Sequence, residues 1–350
     1  MQRAVSLLIC RAALRRLARK PLDLDRAACD RVVIQPEEAE ACDPIYYLDG
    51  QLDKVTGTTP GPHSLEQMFV AIRQRIVRHA PVIKFVIDNC IVSPLGLDTA
   101  HGFERKQALI EARLGAIERI SSGLYCMSQI SRKFFGHWLQ DACSTAFLQC
   151  DESALLLDTP IEWPHASQYV EAFGLRPARS VVQFVDRLTL FRDLGQGSSK
   201  RQRYSKMRDA LAQAFGGSYG ARDFIYFRRG ATGVERVIEN EETFLNAMMR
   251  RGFEIFDLGG KTAGEIFRRF RRALVVVSVD GSHLNHLYFS MPPASSLITL
   301  IPSDGFNLNQ KGYCQAARLR HGFTVMAKGN GGYIADPEEV LRTLDLIGNG

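Results

Sequence analysis

The stretch Ala273–Phe289, ALVVVSVDGSHLNHLYF, constrains the fold more than any other part of the chain. Leu274-Val275-Val276-Val277 is apolar at every position. That is the pattern of a strand covered on both faces, and so of a parallel sheet between helices. The run breaks at Asp280-Gly281-Ser282, small and polar residues that form a tight turn and can cap a helix beginning near His283. Strand, turn and helix start, in that order, offer free backbone N–H groups and the positive end of a helix dipole to an anion such as phosphate. Many α/β folds carry such a turn, so its meaning depends on what flanks it.

The flanks repeat the same rhythm. From Gly123 the spacing predicts strands over Leu124–Ser128, Ala154–Asp158, Ser180–Val185 and Arg187–Phe191, with helices over Phe134–Gln149 and His165–Phe173. Further on, strands Asp223–Phe227, Phe253–Phe256, Leu274–Val279 and Leu297–Ile301 alternate with helices Tyr204–Phe215, Asn240–Arg251, Thr262–Arg272 and His283–Phe289. Such alternation predicts doubly wound α/β domains with helices on both faces of parallel sheets. Residues 31–100 are less regular: strands over Arg31–Ile34, Tyr46–Leu48 and Val82–Asp88, and a helix over Ser64–Arg78 carrying Met68, Phe69, Ile72 and Ile76 at helical spacing. Another helix is expected over Phe103–Ile120. The polar stretch Gly195–Lys206, GQGSSKRQRYSK, reads as a boundary between domains spanning 1–200 and 201–350. A last helix, Pro337–Ile347, is a candidate to pack back on the first domain.

Composition excludes several classes. The 350 residues are 45% hydrophobic and 23% charged, ordinary for two globular domains. A net charge of +6 suits a phosphate-bearing ligand or an anionic membrane surface. It is too dispersed for nucleic acid, and no aromatic-interleaved basic motif is present. The eight cysteines contain no C-x-x-C pair and fit neither a zinc site nor a disulfide scaffold, which points to a reducing, cytoplasmic compartment. No run approaches the roughly 20 apolar residues that span a bilayer. Residues 1–20 mix Val5, Leu7, Leu8, Ile9, Leu14 and Leu17 with Arg11, Arg15, Arg16, Arg19 and Lys20, the makings of either an ordinary first helix or an interfacial membrane contact. There is no G-x-G-x-x-G after a strand, no P-loop and no H-E-x-x-H.

Chemistry in open α/β sheets sits beyond the carboxyl ends of the strands. Arg228-Arg229 directly follows the strand DFIYF, and guanidinium groups bind phosphate in bidentate fashion. A solvated strand end is the competing reading. Asn240-Glu241 opens the next helix, with Asn240 a natural N-cap and Glu241 placed to favour the dipole or meet a ribose hydroxyl. For His283 and His286 a core or surface position is the commoner fate of such a residue, against a role in the site. His137 and Asp141 stand four apart and share a helix face, which is either a carboxylate-oriented general base or a plain surface pair.

Taken together these residues resemble glycosyltransferase family 61, including bacterial members labelled capsular polysaccharide biosynthesis proteins. The resemblance rests on Arg228-Arg229, then Arg236, Asn240-Glu241 and Gly252-Phe253, and on the turn Asp280-Gly281-Ser282-His283-Leu284-Asn285-His286, followed by Phe289 and Pro292-Pro293. In the first domain His137-Trp138-Leu139-Gln140-Asp141 matches the family's His-Trp-Leu-x-Asp motif. The chain departs from the family at Asp280, where members carry His, at Phe134, where they carry Asn, and at His286, which stands for their turn Asn. The resemblance implies a GT-B architecture, two Rossmann-like domains facing across a cleft. It implies inverting, metal-independent transfer from a nucleotide-sugar donor, a UDP- or GDP-sugar, to a glycan or lipid-linked glycan acceptor in surface polysaccharide assembly. It assigns the donor nucleotide and diphosphate to Arg228, Arg229, Arg236, Asn240, Glu241, Asp280, Gly281, Ser282 and His283, and the base to Asp141 with His137. No cofactor is implied beyond the donor. The competing functions are another nucleotide-sugar enzyme of this fold, such as an epimerase, and a non-catalytic sugar- or nucleotide-binding protein.

Overall fold

The computed structural model describes residues 21–59, 63–93, 96–99, 103–105, 118–148, 154–178, 182–229 and 236–348. The basic segment 1–20 lies outside them. In chain order the first strands are β1 (Asp30–Gln35), β2 (Glu38–Ala41), β3 (Ile45–Tyr46), β4 (Ile76–His79), β5 (Val82–Ser93), β6 (Gly96–Asp98), β7 (Phe103–Arg105), β8 (Glu118–Tyr125), β9 (Ala154–Leu156) and β10 (Gln183–Arg192). They are followed by β11 (Asp223–Arg228), β12 (Glu254–Asp257), β13 (Ala273–Val279), β14 (Ser296–Pro302), β15 (Arg320–Lys328) and β16 (Tyr333–Ile334). The chain divides into two compact units, one of residues 1–38 and 79–195, the other of residues 39–78 and 196–350.

The first unit is built on a mixed sheet of order β7-β6-β5-β10-β8-β9, with β1 paired to β5. Only β9, β8 and β10 run parallel; β5 is antiparallel to β10, β1 and β6. The expected helix over Phe103–Ile120 is contradicted at both ends, where β7 and the start of β8 lie. The two strands expected over Ser180–Val185 and Arg187–Phe191 are one, β10. The polar pair Asp186-Arg187 looks like a break in sequence, but Asp186 sits on the outer face and is bridged by Arg119 of β8 at 2.8 Å. A charged residue interrupts a strand pattern without interrupting the strand when its cross-strand neighbour carries the opposite charge.

The second unit carries the expected doubly wound plan. Its sheet has the order β12-β11-β13-β14-β15-β16, with β3 paired to β15; every pairing is parallel except β15 with β16. β13 lies inside the sheet, and six of its seven residues are buried. On one face Phe244 and Met248 of the helix Glu241–Arg250, and Val340 and Ile347 of the helix Pro337–Gly348, pack on Val275, Val277, Ile298 and Leu300. Burial of each such side chain contributes about 1.5–3 kcal/mol. The helix Ala263–Phe270 buries Ile266, Phe267 and Phe270 and is opened by a capping box of Thr262 with Glu265.

Residues 39–78 belong to this second unit: β3 joins its sheet, and β2 pairs with β4 in a separate two-stranded sheet. Tyr47 stacks on Phe323 at 5.0 Å, and the helix Leu65–Arg73 lays Met68 and Ile72 on Ile301, Phe306 and Val325. That helix ends before the expected Arg78, because Gln74 turns extended and Ile76–His79 is β4. The final helix packs within the second unit, on β14, β15 and β3. The helix Asn309–Ala317 and the strand β15 have no counterpart among the expected elements. Gly312 and a polar face disguise the helix. In β15, His321 and Thr324 break the apolar pattern although both are buried, His321 by a 3.0 Å bond to Thr299. Among the described residues no helix is long and apolar enough to cross a membrane.

Candidate active site

At the carboxyl ends of β11 and β13 the second unit gathers three arginines. Arg228, last residue of β11, is forked by Glu241 at the start of the following helix, Nε to Oε1 at 3.1 Å and Nη2 to Oε2 at 2.5 Å. Its Nη1 lies 3.6 Å from Asp257 at the end of β12. The hydrogen bonds it donates to Glu241 raise its pKa, so it is a fixed cation. Its side chain stays 42% exposed, open to a ligand. Arg229 points the other way along the sheet and reaches the backbone oxygen of Asp280 at 3.5 Å. Its burial, and then Arg236 beside it, lower its pKa from the usual arginine value. Two cations held close together with one of them half-buried favour an incoming anion.

Asp280 organises this cluster. Its carboxylate is 3% exposed and accepts from Arg236 at 2.6 Å, Asn307 at 2.8 Å and Gln310 at 2.6 Å, while Arg236 also donates to its backbone oxygen. Gln310 in turn accepts from the Tyr288 hydroxyl. Burial pushes the Asp280 carboxyl up, but Arg236 and the two amides more than offset it, and the net shift is downward. The group is therefore a buried anion that accepts from three side chains. In this arrangement it holds Arg236 in place, with Arg229 half-buried beside it and Arg228 partly exposed. Asn307 and Gln310 went unnoticed in the sequence, since they lie beyond the next strand and carry no local signal except their three-residue spacing at a helix start.

The turn itself differs from the expected anion cradle. Ser282–Leu284 is a 3-10 turn leading into the short helix Asn285–Ser290. His283 faces inward: it packs edge-on to Phe227 at 5.0 Å, and its Nε2 lies 2.8 Å from Ser278 Oγ. Because the serine hydroxyl donates to Phe227 O at 2.7 Å, Nε2 carries the proton and donates to Oγ. Nδ1 is left as a buried acceptor without a partner. Burial, and then the nearby Arg229, lower the imidazole to about 3, so His283 is neutral and supplies no charge to a phosphate. A Cβ on Gly281 would stand 3.0 Å from this Nδ1 and 3.4 Å from Arg229 Cζ, which accounts for glycine between them. Asn240 occupies the N-cap position but makes no capping bond; its amide is spent on Ala335, donating to O at 2.8 Å and accepting from N at 3.0 Å.

In the first unit His137 and Asp141 meet as their spacing implies, Nδ1 to Oδ2 at 2.8 Å, each about a quarter to a third exposed (25% and 30%). The surrounding helix is irregular. Phe135–His137 is α-helical, Trp138–Cys143 is a π-helical segment, and Ser144–Ala146 resumes the α-helix. π-Segments recur at functional sites because the extra residue per turn re-aims side chains. Trp138 anchors it: the ring is fully buried and its N–H donates to Asp158 O at 2.8 Å. Ser144 and Thr145 hydroxyls bond the Asp141 carbonyl at 3.1 and 2.8 Å. With Nδ1–H directed at the carboxylate, Nε2 is the nitrogen able to take a proton.

Among the described residues no group of three or more His, Cys, Asp or Glu is placed to hold a metal ion. Among the described residues of this cluster, the cations that could meet a phosphate are Arg228 and Arg229. No curated protein matches the chain. The family model Glycosyltransferase 61, however, matches residues 135–298, a span that opens on the His137 helix, takes in both arginines and the Asp280 turn, and ends in β14; over that span the chain is similar to glycosyltransferase family 61.

Proposed function

We propose that this glycosyltransferase moves a hexosyl or pentosyl group from a UDP- or GDP-sugar to a hydroxyl of a glycan or lipid-linked glycan, with inversion and without a metal, as a GT-B enzyme of surface or capsular polysaccharide assembly. The observation that carries the reading is the pairing of Arg228 with Glu241 beside Arg229 at the carboxyl end of a parallel sheet. Positively charged donors fixed before the reaction stabilise the charge that develops on a departing diphosphate. In the proposed step the acceptor oxygen attacks the anomeric carbon from the face opposite the diphosphate. The bond from that carbon to the phosphate oxygen breaks, and the acceptor proton passes to His137 Nε2, with Asp141 holding the imidazole in the required tautomer. Glu241 orients Arg228 and is the candidate partner for a ribose hydroxyl. Residues 1–20 are the proposed peripheral contact with the inner membrane face, where lipid-linked acceptors reside.

The test is a thermal-shift panel of nucleoside diphosphates and nucleotide sugars, with magnesium and with EDTA, run on the wild type and on Arg228→Met. A ligand that binds only the folded state adds about 2.7 kcal/mol at a hundredfold excess over its Kd. The expected result is a metal-independent shift with one nucleotide class, lost in Arg228→Met at unchanged intrinsic stability. A folded wild type that responds to no nucleotide sinks the donor assignment. A shift without transfer to any glycan acceptor points to the non-catalytic binding protein.

A further inference from the structure

The opposite edge of the second sheet carries a row of arginines that the proposed chemistry does not use. Each parallel strand enters the sheet there, and four of the five neighbouring strands β12, β11, β13, β14 and β15 do so beside an exposed arginine. Arg250 and Arg251 precede β12, Arg222 precedes β11, Arg268 closes the helix before β13, and Arg318 and Arg320 stand at the start of β15. The backbone ties them into one surface: Arg222 N bonds Arg272 O, Gly220 N bonds Arg271 O, and Arg320 N bonds Ser295 O, at 2.9, 3.2 and 2.9 Å. The nearest acids are largely taken. Asp223 is shared by Arg269 at 2.7 Å and Arg272 at 3.1 Å, with Arg222 more distant at 3.8 Å; Glu254 also bonds Arg269 at 2.7 Å, and Glu338 stands 3.9 Å from Arg251. Helix dipoles account for a cation at the end of a helix, as for Arg250 and Arg251, but not for Arg222 and Arg320 at strand starts.

Apolar groups are set among these charges. Tyr219 is 62% exposed with the Arg271 guanidinium 5.3 Å from its ring, and Met249 and Leu274 are exposed beside Arg250 and the start of β13. A row of guanidinium groups across five strands is about 19 Å wide at the usual strand spacing. Interspersed Tyr, Leu and Met give it groups that enter a headgroup layer, which a purely electrostatic polyanion site would not need. We infer that this edge is a docking surface for an anionic lipid bilayer, separate from residues 1–20. Strands of six or seven residues set it about 20 Å from Arg228 and Asp280, so a membrane seated here leaves the arginine cluster uncovered.

The test is co-sedimentation of the full chain with vesicles of phosphatidylcholine alone or with one quarter phosphatidylglycerol, at 50 and 300 mM NaCl. Each basic residue near an anionic surface is worth about fivefold in partitioning at low salt. The variant R222S/R250S/R251S/R320S is expected to bind anionic vesicles at least about a hundredfold more weakly, with wild-type Tm, while R73S/R75S/R78S, on the segment that carries β4, binds as wild type. Single R250S, an exposed change that the fold tolerates, is expected to lose about fivefold. Tyr219→Ser is expected to reduce the binding that survives 300 mM salt. Equal losses in the two multiple variants, vesicle binding abolished by deleting residues 1–20 but untouched by the four-arginine change, or binding to DNA or heparin with none to anionic vesicles would each overturn the inference.

Discussion

Asp280→Asn is the most informative single change, because it alters charge at nearly constant shape. The carboxylate accepts three side-chain bonds, two on Oδ2 from Arg236 and Asn307 and one on Oδ1 from Gln310. An amide has one acceptor oxygen. Turned to keep Arg236 and Asn307, it sets its own NH2 against the Gln310 NH2; relief requires Gln310 to flip, and the flip disturbs the bond from Tyr288. One charge-assisted bond becomes neutral, worth about 1.5–3 kcal/mol, and one buried donor loses its partner at about 1–3 kcal/mol. Partial repacking places the expected loss at about 3 kcal/mol. Arg236, whose side chain is only 11% exposed, is then a buried cation lacking its counter-charge. The assay is urea unfolding of wild type, Asp280→Asn, Arg236→Met and the double variant. Coupling of at least about 1 kcal/mol in that cycle is expected, since residues in one network are non-additive. A stability within 0.5 kcal/mol of wild type for Asp280→Asn, or additive single effects, would refute the view that Asp280 holds the arginine cluster together.

Acid should destabilise the protein through three groups acting in one direction. Burial lowers the folded-state imidazoles of His283 and His321 to about 3 and about 4, so their contribution is complete above the unfolded value near 6.5 and shrinks as pH falls toward those values. Asp280, also lowered, loses its contribution as pH drops below the ordinary carboxylate range. In a urea series at stepped pH, His321→Gln is expected to flatten the slope between pH 6.5 and 4 by up to about 3 kcal/mol; an unchanged slope would mean that His321 titrates normally. For the proposed base, His137→Ala should lower transfer about 10²–10⁴-fold while leaving the nucleotide-induced thermal shift intact, and wild-type kcat would remove it from the reaction. Asn240→Ala should cost about 1–3 kcal/mol of stability through the lost Ala335 bonds; weakened donor binding at unchanged stability would restore Asn240 to the ligand site.

Local pattern disclosed the second unit well. The all-apolar run of β13, the arginine pair at the end of β11 and the helix faces at Phe244, Met248 and Ile266 each follow from short-range spacing, and the structure places them accordingly. The same reasoning located the His137–Asp141 contact, since four residues on a helix fix its geometry in advance. It failed where a buried polar group replaces an apolar one: His321 in β15 and Asn307 and Gln310 around Asp280 are interior residues whose partners lie far away in sequence. For His283 it allowed a packed ring without naming its partners, because nothing in its neighbours reveals that Ser278 and Phe227 draw the ring inward. The antiparallel pairing of β5 with β10 was beyond reach for the same reason, being a contact between segments about 100 residues apart.

The second sheet is assembled from two separated lengths of chain, and this sets a timetable for the ribosome. Tyr47, Met68, Ile72 and Phe69 emerge early, yet the surface they cover is made of Ile301, Phe306, Phe323 and Val325. About 250 residues separate the helix Leu65–Arg73 from the end of β15, so at common elongation rates the early segment waits about 12–50 s for its partners. During that interval its apolar side chains have no native surface to join, and the nascent chain depends on holding them apart from other chains. A fragment beginning at Gln196 would invert the problem, displaying Phe306 and Phe323 to solvent. Efficient production of this protein therefore favours synthesis of the whole chain with holding chaperones over expression of residues 196–350 alone.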